Sequence, residues 1–400
     1  MIIVGGTYDE VCFEPKWDYK FGSGLRGAFT VQGINKAEKV DFYSFGNKNT
    51  KSYLELLETD SFKSFVYNIN FSIRFEYDFP LSVPHIYPRL DILSQDIRQL
   101  DIEAKEENIL YYGMLEGNAC IHGNKVVYDP QSPANPKTFS STGSSAKELA
   151  IVLNLSEAKL LSGENDLNLI ADYFFNKEKV ALLILKMGAK GAFVYTSASN
   201  RESIPVYKTN EVWPIGSGDV FAASFAYYWF HGVTPVDAAK YASWNTACYC
   251  NSKSYTFKEF ENGEFEPLVL GEIPLNQIYL AGPFFTFTQR WLVNQVYMCM
   301  KGMNLNVFSP WHDVGHGEAS FVVPLDLDGL DKSVLIFAIL DGLDSGTLFE
   351  LGYANAKGIK SIGYVENESS EDVKMLVGTN CILENDLTTA IYKTLWAIME

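Results

Sequence analysis

Apolar and polar positions fall into two successive α/β patterns along the chain. Met1 to Gly6 (MIIVGG) reads as a buried strand that stops at a glycine pair. Ile109 to Gly113 (ILYYG) and Lys125 to Pro130 (KVVYDP) read as further short buried strands, and Ala146 to Leu153 as a helix. Val180 to Leu185 is another apolar run, and it leads into KMGAKG. From Phe62 to Arg89 aromatic residues alternate loosely with polar ones (FVYNINFSIRFEYDF), which predicts antiparallel strands before a Pro-rich loop. Exposed strands of that kind suit a lid or a subunit surface, and a plain sheet edge as well.

Trp213 to Phe230 (WPIGSGDVFAASFAYYWF) is the most apolar stretch and predicts a helix buried on all sides, with its first turn inside GSGD. Gly232 stops it. Thr234 and Pro235 begin the next helix, with Asp237 at the capping-box position. Phe257 to Pro274 is acidic, carries Gly and Pro and has little periodicity, so residues 261–275 are the expected linker. A second alternation follows: strand and glycine turn over Gln277 to Phe285, helix over Thr288 to Gly302, strand over Leu305 to Phe308, and a loop, SPWHDVGHG. Val334 to Leu340 is the next strand, Gly346 to Lys357 a helix, Lys360 to Val365 a strand, and the tail is helical. The expected organisation is two α/β domains, 1–260 and 276–400, the second a parallel-sheet layer structure of the flavodoxin type.

Composition narrows the partners. Four hundred residues at 47% hydrophobic suffice for two large cores. A net charge of −17 disfavours nucleic acid polymers and membrane surfaces, while backbone amides can still bind small anions. Nothing resembles a signal peptide or a transmembrane run, and the six cysteines have no zinc-like spacing. A cytoplasmic protein with reduced thiols is expected.

In GSGD, Gly216, Ser217 and Gly218 leave backbone amides open at a helix start where Asp219 sits. Such amides can hold a phosphate while the carboxylate takes a proton from an attacking hydroxyl. A glycine turn with a capping Asp satisfies the same letters. Asp9 follows the first strand, where sugar hydroxyls can be met or a solvated loop can begin. Gly22–Ser23–Gly24 opens GSGLRG, a weak match to GxGxxG, since the preceding KWDYKF is no parallel core strand; a glycine loop close to a sugar is the better reading. Asn154 and Glu157 stand three apart at a helix start, where they can order water around Mg²⁺ and phosphate or simply cap. His312 and His316 flank Asp313 in a glycine-containing loop rather than on a helix, so a substrate loop using Trp311 and His312 is preferred to a metal site.

Taken in order, Asp9, GSG 22–24, NLSEA, KMGAKG and IGSGDVFAASF resemble the ribokinase-like (PfkB) carbohydrate and nucleoside kinases over roughly residues 1–256. The resemblance implies an α/β sandwich with a β lid. It implies Asp219 as the base and the amides of Gly216, Ser217 and Gly218 as the anion hole. Asn154 and Glu157 would organise Mg²⁺ through water, and Asp9, Gly22, Ser23 and Gly24 would lie along the sugar. Lys186, Gly188 and Gly191 would lie near the phosphates or nucleotide of ATP. The chain departs from the family at Trp213-Pro214, which stand where it has Asp-Thr, and at Lys186, which ends a strand that usually ends in Thr or Ser.

From about Ile278 onward, YLAGPFF, DLDG and DGLDSGTLFELGYA are similar to the nucleoside 2-deoxyribosyltransferases. Before that comparison Glu350 is a helical carboxylate able to attack an anomeric carbon, or merely an exposed one. The resemblance implies Glu350 as nucleophile, Asp326 as the acid facing the base, Asp344 on sugar hydroxyls, and Tyr279 and Gly282 on the first strand and turn. It implies no cofactor there. Val334 stands where that family commonly has Asp. The expected enzyme phosphorylates a sugar or nucleoside with ATP and Mg²⁺, and cleaves or exchanges an N-glycosidic bond. The alternative is a glycosidase whose kinase domain binds or senses a ligand. Small-molecule nucleosides or sugars and a homo-oligomer, dimer or larger, are the expected partners.

Overall fold

The structure, a computed structural model, describes residues 1–93, 98–104, 107–132, 135–260, 264–268 and 275–399. The chain divides into two units, Met1–Thr209 with Trp213–Val269, and Asn210–Val212 with Leu270–Glu400. Of the expected linker, residues 261–263 and 269–274 lie outside the described residues.

The first unit is built on a ten-stranded sheet. At its centre Ile2–Val4, Ile109–Tyr112, Gly117–Asp129, Ser145–Asn154 and Leu182–Lys186 run parallel in that order. Both faces are buried, so successive residues serve different cores. Ile3, Leu110 and Val127 join the helices Gly22–Ile34, Ser217–Phe230 and Pro235–Ser252 on one face. Val4, Tyr111 and Val126 join Ile170 and Phe174 on the other. A separate four-stranded sheet contains Trp17–Lys20, Asp9–Cys12, Arg74–Tyr77 and His85–Tyr87. It is the small β layer implied by the resemblance.

Three local expectations are corrected. Ala146 to Leu153 is not a helix but most of the strand Ser145–Asn154, because its apolar residues occupy the centre of a sheet buried on both sides. Phe62–Asn68 pairs parallel with Val40–Gly46 at the edge of the large sheet, and of the expected antiparallel strands Arg74–Tyr77 pairs antiparallel with His85–Tyr87. The helix Ser217–Phe230 is buried along most of its length, but Tyr227, Tyr228 and Phe230 are half-buried.

The second unit is a five-stranded, wholly parallel sheet in the order Asn306–Phe308, Gln277–Ala281, Ser333–Ile339, Lys360–Tyr364, Ile382–Glu384. By chain order that is 2-1-3-4-5, the flavodoxin-like arrangement, in which the strand order reverses between the first and third strands. DLDG lies inside the helix Ala319–Asp331. Gly329 is there for packing: a Cβ on it would stand 2.3 Å from the Phe308 ring. SPWHDVGHG is not wholly a loop, since Pro310–Val314 forms one helical turn. Among the described residues no helix is long and apolar enough to cross a membrane.

Candidate active sites

In the first unit, parallel strands end side by side at Tyr112, Asp129, Asn154 and Lys186. Carboxyl ends of parallel strands are where an α/β sheet receives ligands. A cavity of about 370 Å³ opens there, lined among others by Glu10, Ser23, Arg26, Gln131, Glu157 and Asp219.

Asp219 is buried in the first turn of Ser217–Phe230. Gly216 precedes that helix at φ +76°, a left-handed conformation that glycine adopts without strain. It also has no room for a side chain, since a Cβ would meet Arg26 Cζ at 2.1 Å. Arg26 is fully buried, and its Nη1 donates to Asp219 Oδ2 at 2.8 Å and to Glu10 Oε1 at 3.0 Å. Arg26 Nη2 donates to Glu10 Oε2. Gln131 Nε2 donates to Asp219 Oδ1, and the Tyr112 hydroxyl donates to the Asp219 carbonyl at 2.7 Å. Both oxygens of the expected base therefore accept hydrogen bonds.

GSGLRG is a helix start rather than a loop. Gly22 N donates to Glu10 Oε1 at 3.0 Å, and Gly24 lies so close to Gly5 that a Cβ would meet its backbone at 2.6 Å. Gly22 and Ser23 line the cavity. Asp9 is engaged elsewhere: Lys20 Nζ donates to its Oδ1 and Ser72 Oγ to its Oδ2 at 2.9 Å. Strand alternation turns the next residue, Glu10, into the cavity instead. Glu10 and Arg26 are the site residues that sequence reasoning missed.

Asn154 and Glu157 close a capping box, with Glu157 N donating to Asn154 Oδ1 and Asn154 N to Glu157 Oε2, each at 2.9 Å. They leave Mg²⁺ at most one carboxylate oxygen not already accepting, from Glu157, and a cation that wants near-octahedral oxygen ligation is not held directly by that set. Lys186 Nζ donates to Asp129 Oδ2 at 2.5 Å. Gly188 and Gly191 make the tight turn between Leu182–Lys186 and Ala192–Ser197. Trp213, in place of the family's Asp, is buried 4.9 Å from the Trp17 ring of the small sheet.

In the second unit the Tyr279 hydroxyl donates to Glu350 Oε1 at 2.6 Å. Tyr279 is buried on the first strand, and Glu350 is half-buried in the second turn of the helix Ser345–Ala356. Burial pushes the Glu350 carboxyl up to about 7, the Tyr279 hydrogen bond works against that, and the negative fields of Asp326 and Asp344 add to it. Burial also pushes Asp326 up to about 6, and its buried Oδ1 has no hydrogen-bond partner among the described residues. Asp344 caps the helix, accepting from Thr347 N at 2.9 Å and Thr347 Oγ1 at 3.1 Å. Gly282 follows the first strand at the reversal of strand order, where a Cβ on it would stand 3.1 Å from Ile339 at the end of the third. His312 is committed to packing: it stacks on Tyr297 at 3.9 Å, with ring nitrogens 3.0 Å from Ser309 Oγ and 3.4 Å from Asn294 Oδ1. Trp311 lies against Phe284 and under the Arg290 guanidinium. Among the described residues no group of three or more His, Cys, Asp or Glu side chains could hold a metal ion.

The geometry can be set beside known proteins. Residues 117–259 match the model of the pfkB family carbohydrate kinases, and residues 278–385 that of nucleoside 2-deoxyribosyltransferase. A 5-dehydro-2-deoxygluconokinase of Listeria innocua is 32% identical over 83 residues, 21% of this chain and 25% of that one. Another, of Halalkalibacterium halodurans, is 26% identical over 153 residues, 38% of each chain. The chain thus spans about a quarter to two fifths of these curated relatives. Among solved structures, a ribokinase from Thermotoga maritima is similar with a TM-score of 0.48 at 16% identity, covering 64% of this chain and 94% of that one. A nucleoside kinase from Methanocaldococcus jannaschii is similar with a TM-score of 0.46 at 15% identity, covering 64% and 93%. The chain carries a pfkB-family carbohydrate kinase domain followed by a nucleoside 2-deoxyribosyltransferase domain.

Proposed function

We propose a bifunctional enzyme of nucleoside and sugar metabolism, with domains at 1–260 and 276–400. The C-terminal domain breaks or exchanges the N-glycosidic bond of a (deoxy)nucleoside. The observation that carries this reading is the Tyr279–Glu350 hydrogen bond at 2.6 Å. Glu350 attacks C1′ and holds the sugar as an ester while Asp326 protonates the departing base; water or a second base then takes the glycosyl group from Glu350. The Tyr279 hydroxyl stabilises the ionised nucleophile and fixes its direction. Asp344 contacts sugar hydroxyls with the oxygen not used as a cap.

The N-terminal domain transfers a phosphoryl group from ATP to a sugar or nucleoside hydroxyl. Asp219 takes the hydroxyl proton, and the amides of Gly216 and Gly218 face the phosphate, while the Ser217 amide is spent on the Pro214 carbonyl at 3.0 Å. For the acceptor to reach Asp219, the Gln131 amide must yield its place on Oδ1. That same observation favours a second reading, in which the domain binds or senses its ligand without turnover.

Mass spectrometry of a nucleoside panel, with and without ATP, tests both. Released or exchanged base without ATP, abolished in Glu350→Gln, supports the C-terminal assignment; base release untouched by that change overturns it. A phosphorylated product that disappears in Asp219→Asn supports the kinase. Its absence across the panel, with ATP binding retained, selects the second reading.

A further inference from the structure

Lys186 is a departure that the kinase reading leaves unexplained. It is the last residue of the strand Leu182–Lys186, and only 14% of its side chain is exposed. The ammonium reaches the start of the helix Ser217–Phe230, where a side chain on Gly218 would begin 3.3 Å from Lys186 Nζ. Besides its 2.5 Å bond to Asp129, it feels the fields of Glu157 and Asp219. Lys186 and Arg26 thus stand among four carboxylates, Glu10, Asp129, Glu157 and Asp219, and Lys186 is the cation on the side of the helix start. The oxygens of Asn154 and Glu157 that would serve a divalent ion are largely spent on the capping box.

We propose that Lys186 is the resident cation of this phosphate cradle, in the place of a divalent metal, so that the domain binds a pyrophosphate-class anion without one. The proposal rests on the kinase reading. An ammonium is a compact charge with three donors, of which Asp129 takes one. Burial works to lower the Lys186 ammonium, but Asp129 and Glu157 outweigh it and hold it above its ordinary value, so it stays charged. Asp129 is held through Oδ2, which accepts from Lys186 Nζ and, at 3.4 Å, from Gln131 Nε2, while its Oδ1 has no hydrogen-bond partner among the described residues. Ser23, on the cavity wall, also has a buried hydroxyl without a partner among the described residues. A fixed cation thus stands behind the cavity wall at Gly218, and Ser23 adds a spare hydroxyl, which suits a phosphate-bearing anion.

The test is calorimetric titration of the full chain with inorganic pyrophosphate and with ATP, in EDTA and in Mg²⁺. Pyrophosphate is expected to bind in EDTA within about threefold of its Mg²⁺ affinity, and Lys186→Ser to weaken EDTA binding at least about tenfold, the loss of one charge-assisted contact. Lys186→Arg keeps the charge and retains most of the binding. Because Lys186→Ser strands a buried Asp129, the double variant Lys186→Met/Asp129→Asn is run beside it, and it too is expected to fold and to lose the metal-free binding. Binding that requires Mg²⁺ in the unaltered chain, or metal-free binding indifferent to Lys186, overturns the proposal and leaves the kinase reading standing. Failure of both anions to bind under every condition overturns the two together.

Discussion

Glu350 and Asp326 carry an inverted pair of protonation requirements. The nucleophile must be ionised, yet its carboxyl lies at about 7; the acid must be protonated, yet its carboxyl lies at about 6. Activity falls below the acid's value and above the nucleophile's, so kcat/KM of the free enzyme is expected to form a bell between about 6 and 7. With the order inverted, only a minority of molecules is correctly protonated at the top, the acid limb reports Asp326 and the alkaline limb Glu350; both values belong to the interacting pair. Tyr279→Phe removes the bond that opposes the rise of Glu350, so the alkaline limb should move up and the plateau fall together, as read from a pH series on base release. A limb that stays put would mean that Tyr279 does not tune Glu350. The motif letters made Tyr279, Asp326 and Glu350 legible. They could not reveal Arg26, because its bond to Asp219 joins residues 193 positions apart, or show that Asp9 turns away and Glu10 turns in.

Among the elements, the helix Ser217–Phe230 depends on its glycine entrance. Gly216→Ala meets two penalties: a left-handed φ and a methyl at 2.1 Å from the Arg26 guanidinium. It should cost about 1–3 kcal/mol in denaturant unfolding and push Arg26 off Asp219, so that nucleotide-dependent turnover falls further than stability does. Gln131→Ala acts in the other direction. It clears Asp219 Oδ1 for an acceptor hydroxyl and should lower the acceptor KM roughly three- to tenfold, the worth of one hydrogen bond that no longer has to be displaced. An unchanged KM would show that the Gln131 contact does not compete with substrate. The buried helix and the capping pair Asn154–Glu157 were readable from periodicity and spacing. Ala146 to Leu153 was not, because a short apolar run suits either a buried strand or a buried helix until its neighbours are known. The letters of DLDG favour a turn, yet they lie in a helix, where Gly329 serves the close approach to Phe308.

Across the whole molecule, the two α/β alternations were legible in the sequence. The strand orders were not, since they depend on crossovers that local pattern does not encode; 2-1-3-4-5 in the second unit emerges only from the pairing. The net charge of −17 has a kinetic consequence that local geometry does not supply. A phosphate-bearing anion approaches an acidic molecule and is attracted by Lys186 and the amide cradle only at short range. The Debye length shrinks from about 30 Å at 0.01 M salt to about 8 Å at 0.15 M, so added salt removes the long-range repulsion before it weakens the contact itself. Stopped-flow association of ATP or pyrophosphate should therefore speed up, by roughly two- to tenfold, as salt rises through that range. Association of a neutral nucleoside with the second domain should hardly change, which separates a charge effect from a general effect of salt on the protein. Slower anion association at higher salt would mean that the local positive field around Lys186 and Arg26 reaches beyond the cavity and dominates the approach.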